Sequence, residues 1–176
     1  MKLEIHNGLF IRDIEEYDIG SIVKYADNIN ISGNLRDAFP FPYTRDDAES
    51  WLAVINECSP KRSFAIANDN ELIGAIGIEP SRDINRYAGE LGYWLAEPFW
   101  GKGIVTSAVK VFIKYVFENY ELIKIFAYVF SSNPASGRVL EKAGFKLEGN
   151  LRNQIFKNGK FANQLVYGIL REEVLL

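Results

Sequence analysis

The sequence predicts an α/β protein with a mixed central sheet and helices on both faces of that sheet. Segments with strand-like and helix-like patterns follow one another in the order βααβββαβαββ, which is typical of helices packed on a sheet. The chain has 176 residues, of which 48% are hydrophobic and 24% charged, and these are ordinary values for a globular protein. Because no repeat and no Pro/Gly-rich linker divides the chain, residues 1–176 are predicted to form a single domain.

The first half of the chain contains two predicted helices and three predicted strands. These elements are a strand at 9–12, helices at 15–26 and 44–58, and strands at 63–67 and 72–78. The second helix starts at a capping-box-like segment, Thr44–Asp47, and then places apolar residues at the spacing of one helix face. Pro40 and Pro42 exclude a regular helix just before it. The polar residues Asn68–Glu71 predict a tight hairpin between the last two strands.

The second half of the chain continues with helices between strands. The predicted elements are strands at 90–95 and 124–130, helices at 104–120 and 135–143, and closing strands at 145–153 and 165–171. The longer helix has a wide apolar face, including Ala108 and Phe112, that suits packing on a sheet. Gly144 is predicted to end the shorter helix as its C′ residue. The pair Asn158-Gly159 predicts a turn before the closing strand.

The composition excludes several classes of protein. No apolar run approaches the ~20 residues of a membrane-spanning helix, and the N-terminal residues lack the apolar core of a secretory signal. Cys58 and His6 are the single cysteine and the single histidine, which excludes a disulfide framework, a Cys or His zinc site and Ser-His-Asp catalysis. The net charge of −3 argues against a nucleic-acid-binding surface. A cytoplasmic protein without nucleic-acid or membrane partners is predicted, because a lone cysteine suits a reducing compartment.

The segment Trp100–Thr106 is the strongest candidate for a binding site. It reads Trp-Gly-Lys-Gly-Ile-Val-Thr, follows a predicted strand and opens a helix. Glycines let a backbone approach a ligand, and the free N–H groups at a helix start attract an anion. The spacing fits neither a Walker loop nor a Rossmann fingerprint. Taken alone, the segment is equally compatible with a glycine turn that only connects two elements.

A second candidate segment, Asn133–Ser136, leads into the helix at 135–143. Asn133 is a good N-cap residue and Pro134 fits the first helical position, so capping alone explains both. Ser136 has no capping role of its own. Its hydroxyl, one turn into a helix, is therefore a candidate for chemistry.

Together these segments resemble the GNAT superfamily of acyl-CoA N-acyltransferases, and in particular its ribosomal-protein alanine N-acetyltransferase branch. The matching segments are Glu90–Leu95, Phe99–Thr106, Asn133–Ser136 and Leu140–Phe145. Their order and spacing also match, and the resemblance in element order extends along nearly the whole chain. One departure is Pro98, which stands where many GNAT proteins carry Gln or Arg three residues before the first glycine. The resemblance therefore implies backbone contacts to phosphate at this loop.

The resemblance implies a GNAT fold, with a mixed, mostly antiparallel central sheet and a splay between the strands at 90–95 and 124–130. It also implies direct transfer of an acetyl group from acetyl-CoA to a primary amine, with no metal. The pyrophosphate is expected on the glycine loop, and the pantetheine arm is expected in the splay. The residues implied to bind acetyl-CoA are Leu95, Trp100, Gly101, Lys102, Gly103, Ile104, Val105, Thr106 and Asn133. Ser136 is implied to protonate the departing thiolate, a role that a tyrosine fills elsewhere in the superfamily.

The general base and the acceptor pocket are less clearly marked. Glu90 and Glu79 are the strand carboxylates nearest the expected site. Glu90 shares a strand face with Gly92, so it is predicted to be the catalytic base beside a small gap; the alternative is a solvated carboxylate at a strand end. The aromatic segment Leu35–Tyr43 lies where the family builds its acceptor pocket, and a simply packed loop is the alternative.

The predicted function is acetylation of a protein or peptide N-terminal α-amine, or of a small amine, by a monomer or a homodimer. An α-amine with a pKa near 7.9 costs about 1.2 kcal/mol to deprotonate at pH 7, whereas a lysine amine near 10.4 costs about 4.6 kcal/mol. One strand carboxylate suffices for an α-amine, which favours that acceptor. The alternatives are an acyl-CoA-binding module without catalysis, and acetylation of a polyamine or antibiotic amine.

Overall fold

The computed structural model describes residues 1–6 and 8–175. Its contacts divide the chain into two compact units. The first unit comprises Met1–Gly77 and Tyr93–Ile104, and the second comprises Ile78–Gly92 and Val105–Leu176. Each unit is built from strands and helices, so the alternation predicted from the sequence is present in both.

The first unit consists of antiparallel strands with three helices. Its elements are β1 (Lys2–His6), β2 (Leu9–Arg12), α1 (Ile19–Ala26), α2 (Ile29–Ser32), α3 (Arg45–Asn56), β3 (Ser63–Ala67) and most of β4 (Leu72–Pro80). The strands pair in the order β1-β2-β3-β4. The predicted hairpin between β3 and β4 is present, because Asn68 N–H donates to the Glu71 carbonyl and the Asn68 side chain accepts from the Asn70 and Glu71 amides.

The core of the first unit is a cluster of buried aliphatic and aromatic side chains from its strands and helices. Among them are Phe10, Ile22, Leu52, Leu72 and Trp94. The predicted capping box at the start of α3 is formed, because Thr44 Oγ1 accepts from the Asp47 amide while the Asp47 carboxylate accepts from the Thr44 amide. The buried Asp18 carboxylate forms two 2.6 Å hydrogen bonds with the Arg12 guanidinium. Removing one partner of such a buried pair costs about 3–5 kcal/mol.

The second unit contains the remaining strands and helices. Its elements are the N-terminal part of β5 (Ala88–Leu95), nearly all of α4 (Ile104–Asn119), β6 (Lys124–Phe130), α5 (Pro134–Lys142), β7 (Lys146–Lys157), β8 (Lys160–Leu170) and α6 (Glu172–Leu175). The strands pair in the order β5-β6-β8-β7. The β5–β6 pair is parallel, and the β6–β8 and β7–β8 pairs are antiparallel. The predicted mixture of mostly antiparallel pairing is thus present.

The structure extends the predicted elements at several points. β1, the single-turn helix α2 and the terminal helix α6 were not predicted. The two helices are too short to show a periodic pattern, whereas β1 alternates polar and apolar residues over Lys2–His6 and was missed. β7 and β8 are longer than predicted and meet at the predicted turn, where Asn158 and Gly159 have positive φ. Their outer residues are exposed on both faces, so no alternation marks them in the sequence. No helix in the described ranges is long and apolar enough to cross a membrane.

Candidate active site

The glycine loop before α4 has the conformation that an anion-binding loop requires. Gly101 and Gly103 both have φ of +74°, in the left-handed region that glycine adopts without strain. A Cβ built on either residue would meet nothing within 4 Å. Both backbones are therefore open to a ligand immediately before α4 begins at Ile104. Gly159 in the β7–β8 turn has the same φ and the same open surroundings, so the position directly before a helix start is what distinguishes this loop from a simple connector.

Side chains of the loop are bound to their own backbone. The Trp100 indole Nε1 donates a 2.7 Å hydrogen bond to the Leu95 carbonyl. The Lys102 ammonium donates a 3.0 Å bond to the Pro98 carbonyl and lies over the Phe99 ring. Trp100 is 44% exposed, so its ring does not belong to the core, and its polar edge is occupied by the bond to the Leu95 carbonyl.

Glu97 ties this loop to helix α2 within the first unit. Its carboxylate accepts a 2.6 Å bond from Asn28 Nδ2 and longer bonds from Asn30 Nδ2. These hydrogen bonds, first that of Asn28 and then that of Asn30, lower the pKa of Glu97 below its usual range. Asn28 is also the N-cap of α2, accepting from the Asn30 amide. No sequence pattern predicts these hydrogen bonds between Glu97 and the start of α2, because the bonded residues lie far apart along the chain.

Glu90 lies on the accessible face of the β5–β6 pair. In the parallel register Glu90 is the Cα partner of Phe126, so the two side chains share a face. The alternate residues Ile125, Ala127 and Val129 of β6 are buried, whereas Glu90 and Phe126 are half-buried. The strand therefore directs Glu90 to the face opposite these buried residues.

The β5–β6 ladder is short. Its register contains three residue pairs, from Ala88–Lys124 to Glu90–Phe126. Leu91 and Gly92 continue β5 within the same unit without appearing in that register. An opening between the two strands therefore begins just beyond Glu90, at the position of the predicted splay.

The second candidate segment, Asn133–Ser136, lies at the start of helix α5, as predicted. The Asn133 side chain accepts a 3.3 Å bond from the Ser136 amide and caps the helix. Ser136 itself is half-buried. A Cβ on the next residue, Gly137, would lie 2.9 Å from the Tyr167 hydroxyl. This glycine lets α5 approach Tyr167 closely and so sets the place of Ser136.

Tyr167 is a buried support of α5 that was not predicted from the sequence. Its hydroxyl donates a 3.1 Å bond to Glu141, which also lies on α5. Burial, and then this bond, raise the pKa of Tyr167. A lone glycine inside a helical pattern was the available signal, because such a glycine usually has a packing reason.

A shallow groove of about 260 Å³ lies on the same face as Glu90 in the second unit. It is lined by Ser81, Asn85, Ala88, Lys124, Phe126, Tyr128, Glu148 and Val166. The Lys124 ammonium and the Glu148 carboxylate pair at 2.5 Å. The rings of Phe126 and Tyr128 meet edge to face at 5.4 Å. The groove therefore combines an aromatic wall with an ion pair that neutralises its own charge.

The predicted site residues fall into two groups, one in each unit. The first unit holds Leu95 and the loop from Trp100 to Ile104, and the second holds Glu90, Val105, Thr106, Asn133 and Ser136. The segment Leu35–Tyr43 is largely a packed loop, because Leu35, Phe39 and buried Tyr43 join the first unit's core. Phe41 of this segment is exposed. The described residues contain no cluster of three or more metal-ligating side chains.

The acetyltransferase (GNAT) domain family matches residues 9–146 of this chain. The chain belongs to the GNAT acetyltransferase family. The predicted α/β GNAT fold is therefore confirmed. GNAT acetyltransferases use acetyl-CoA, which confirms the predicted acetyl donor.

Individual GNAT relatives carry this comparison further. YokL, an N-acetyltransferase of the SPbeta prophage in Bacillus subtilis 168, is 32% identical over 139 residues, 78% of this chain and 77% of the relative. The ribosomal-protein-serine acetyltransferase of Escherichia coli K12 is 33% identical over 106 residues, 60% of this chain and 59% of the relative. Relatives that are named for ribosomal proteins, such as this one, support the predicted ribosomal-protein acetyltransferase branch.

A solved GNAT structure matches almost the whole chain. Spermidine N-acetyltransferase from Vibrio cholerae, in complex with CoA and spermine, has a TM-score of 0.83 and 25% sequence identity. The match covers 97% of this chain and 100% of that chain. The family thus includes members named for a protein acceptor and members named for a polyamine.

Proposed function

We propose that this protein transfers the acetyl group of acetyl-CoA to the α-amine at the N-terminus of a peptide or protein. The observation that carries the proposal is the glycine loop, in which Gly101 and Gly103 hold left-handed conformations and face open space directly before α4. A helix start with free N–H groups binds an anion. In a GNAT chain that anion is the pyrophosphate of CoA.

The remaining donor contacts use residues whose polar groups are already oriented. The Leu95 carbonyl accepts one bond from Trp100 and keeps a second lone pair for an amide of the pantetheine arm. The Asn133 oxygen caps α5, which leaves its amide NH₂ group to donate to CoA. Asn133 thus serves the helix and the donor with different atoms.

Glu90 and Ser136 supply the proton transfers in this proposal. Glu90, directly or through a water molecule, takes a proton from the acceptor ammonium, and the neutral amine attacks the thioester carbonyl carbon. The carbon–sulfur bond then breaks as the amide forms, and the amide nitrogen releases its second proton to solvent. Ser136 gives its proton to the departing thiolate and regains one from solvent, so the products are an N-acetyl amide and CoA thiol.

The charge of the groove favours a peptide N-terminus over a polyamine. Spermidine carries several ammonium groups, and each one that leaves water needs a carboxylate partner. The groove's carboxylate, Glu148, is already neutralised by Lys124. A peptide presents one ammonium and a neutral backbone, which the aromatic pair of Phe126 and Tyr128 can contact. We also propose that the reaction occurs in the reducing cytoplasm, which suits the lone Cys58.

The test is mass spectrometry of a peptide library incubated with the protein and acetyl-CoA, with spermidine and other small amines in parallel reactions. We expect a gain of one acetyl group at the N-terminal nitrogen of some peptides, and no acetylation of peptides whose α-amine is blocked. A higher kcat/KM for spermidine than for every peptide would contradict the acceptor class. Tight CoA binding without acetylation of any amine would instead indicate an acyl-CoA-binding module without catalysis.

A further inference from the structure

Among the described residues, no packing contact explains why position 92 of β5 is a glycine. A strand-interior glycine destabilises the fold by roughly 0.5–1 kcal/mol relative to alanine. Its φ lies outside the left-handed range, so any residue can adopt its conformation. A Cβ built on Gly92 would meet nothing within 4 Å.

Other strand glycines of the molecule do have a packing reason. A Cβ on Gly74 would lie 2.4 Å from the Trp94 carbonyl oxygen, and a Cβ on Gly77 would lie 2.7 Å from the Arg62 carbonyl oxygen. Side chains are equally close at the other two positions, where a Cβ on Gly89 would lie 2.7 Å from Leu122 and a Cβ on Gly168 would lie 2.3 Å from Glu148. Gly149 stands at a register shift of β7. Gly92 therefore differs from these five. An open strand glycine indicates a place that another molecule approaches.

The position of Gly92 on β5 indicates where another molecule would approach. Strand alternation places Gly92 on the same face as Glu90, and Tyr128, two residues beyond Glu90's partner Phe126, shares that face. Gly92 is exposed and Tyr128 is 39% exposed. The β5–β6 ladder has already ended at Glu90–Phe126. Gly92 is therefore the next residue after the proposed base, Glu90, on this face of β5.

We infer that Gly92 determines acceptor access: its missing side chain is the passage through which the acceptor amine reaches the thioester beside Glu90. This inference rests on the proposed function. An added side chain at position 92 would occupy the path of the first carbon atoms next to the amine. It would remove none of the groups proposed to bind CoA, which belong to the glycine loop, Leu95 and Asn133.

The test compares the affinity of each variant for two probes by calorimetry. One probe is CoA, and the other is a CoA thioether whose sulfur carries an N-propylacetamide group, which places a generic primary-amine chain where the acceptor would lie. The wild-type protein should bind the thioether within tenfold of CoA. Gly92→Ala should weaken thioether binding about tenfold and Gly92→Val about 100-fold, with CoA affinity changed less than twofold.

Gly20→Ala serves as the control, because Gly20 is also exposed with open space around a Cβ but lies in α1. It should leave both affinities unchanged. Circular dichroism confirms folding of each variant, and Gly92→Ala keeps the test valid if the valine variant unfolds. Any of three results overturns the inference. The ratio of thioether affinity to CoA affinity could be the same in the wild type and the Gly92 variants, or the variants could lose CoA affinity as strongly as thioether affinity. The third result is wild-type binding of the thioether that is more than tenfold weaker than binding of CoA. Failure of the proposed function shows separately, as absent acetyl transfer by the wild-type protein with the binding ratios intact.

Discussion

Two sets of glycines in this protein occupy opposite kinds of surroundings. The packed glycines, Gly74, Gly77, Gly89 and Gly168, lie where a Cβ would come within 3.0 Å of other atoms. The open glycines, Gly20, Gly92, Gly101, Gly103 and Gly159, lie where a Cβ would meet nothing within 4 Å among the described residues. The packed set allows strands and side chains to approach closely. The open set leaves space that the folded chain itself does not use.

This difference separates stability from function within one residue type. Adding a methyl group to a packed glycine forces backbone or side chains apart, so the free energy of unfolding falls. Adding the same group to an open glycine leaves the packing intact, and where a ligand lies at that position the change should appear in its binding. Three of the open glycines, Gly92, Gly101 and Gly103, lie on the glycine loop and on the Glu90 face, which are also the places where the family resemblance expects the donor and the acceptor. The other two, Gly20 and Gly159, lie in α1 and in the β7–β8 turn, where no ligand is expected.

The largest effect is expected at the centre of the packed set. Gly74→Ala would place a Cβ 2.4 Å from the Trp94 carbonyl oxygen, and backbone atoms cannot rotate away. We expect the free energy of unfolding to fall by about 3 kcal/mol, measured by urea denaturation. Gly149→Ala is the control, because its Cβ would meet Val166 at an ordinary 3.8 Å. Similar unfolding free energies for the two variants would contradict the division into packed and open glycines.

A large functional effect without a stability effect is expected at the start of α5. Ser136→Ala removes the proposed proton donor to the thiolate and should lower kcat by roughly 10²-fold or less, with CoA affinity nearly kept. Ser132→Ala, an exposed serine four residues earlier, should have normal kcat. A loss confined to CoA affinity would make Ser136 a ligand contact. The hydroxyls of Tyr128 and Tyr120 would then be tested as the proton donor.

A substitution in the glycine loop should have a smaller effect, and the ligand affinity that it lowers should be that for CoA. Gly103→Ala adds a Cβ in the open space before α4 and strains a backbone with φ of +74°, and we expect CoA affinity to fall about tenfold. Gly159→Ala is closely matched, because Gly159 has the same φ and the same open surroundings in the β7–β8 turn. It should lose similar stability without losing CoA affinity. Equal CoA affinities in the two variants would contradict the proposed pyrophosphate site.

The smallest expected effect depends on pH. Glu90→Gln removes the proposed base, so kcat/KM at pH 7 should fall by up to about tenfold for an α-amine acceptor. The defect should disappear as the pH rises past the acceptor's pKa near 8, because the amine is then already neutral. Glu79→Gln, at an exposed position of β4, should follow the wild-type profile. A Glu90→Gln profile that matches wild type at every pH would identify Glu90 as a solvated strand carboxylate.

Features encoded in short segments were predictable from the sequence. The Thr44 capping box, the Asn133 cap and the turns at 68–71 and 158–159 all form as predicted. The first three depend on side chains bonding to backbone within a few residues, and the turn at 158–159 depends on the positive φ of Asn158 and Gly159, so neighbouring residues alone specify each of them. The glycine loop is also a short segment, and together with three others in a fixed order it identifies a GNAT chain from the residues alone.

The tertiary structure alone decided how distant residues meet. The sequence does not indicate that Trp100 bonds the Leu95 carbonyl, that Glu97 joins Asn28, or that Glu148 neutralises Lys124. Nor does it distinguish Gly74 from Gly92, because both are glycines in strands and only the neighbouring strand shows which one is packed. Local patterns in the sequence thus determined the elements and their caps. The open space where a substrate can lie is set by atoms from several elements, so it exists only once they have packed together.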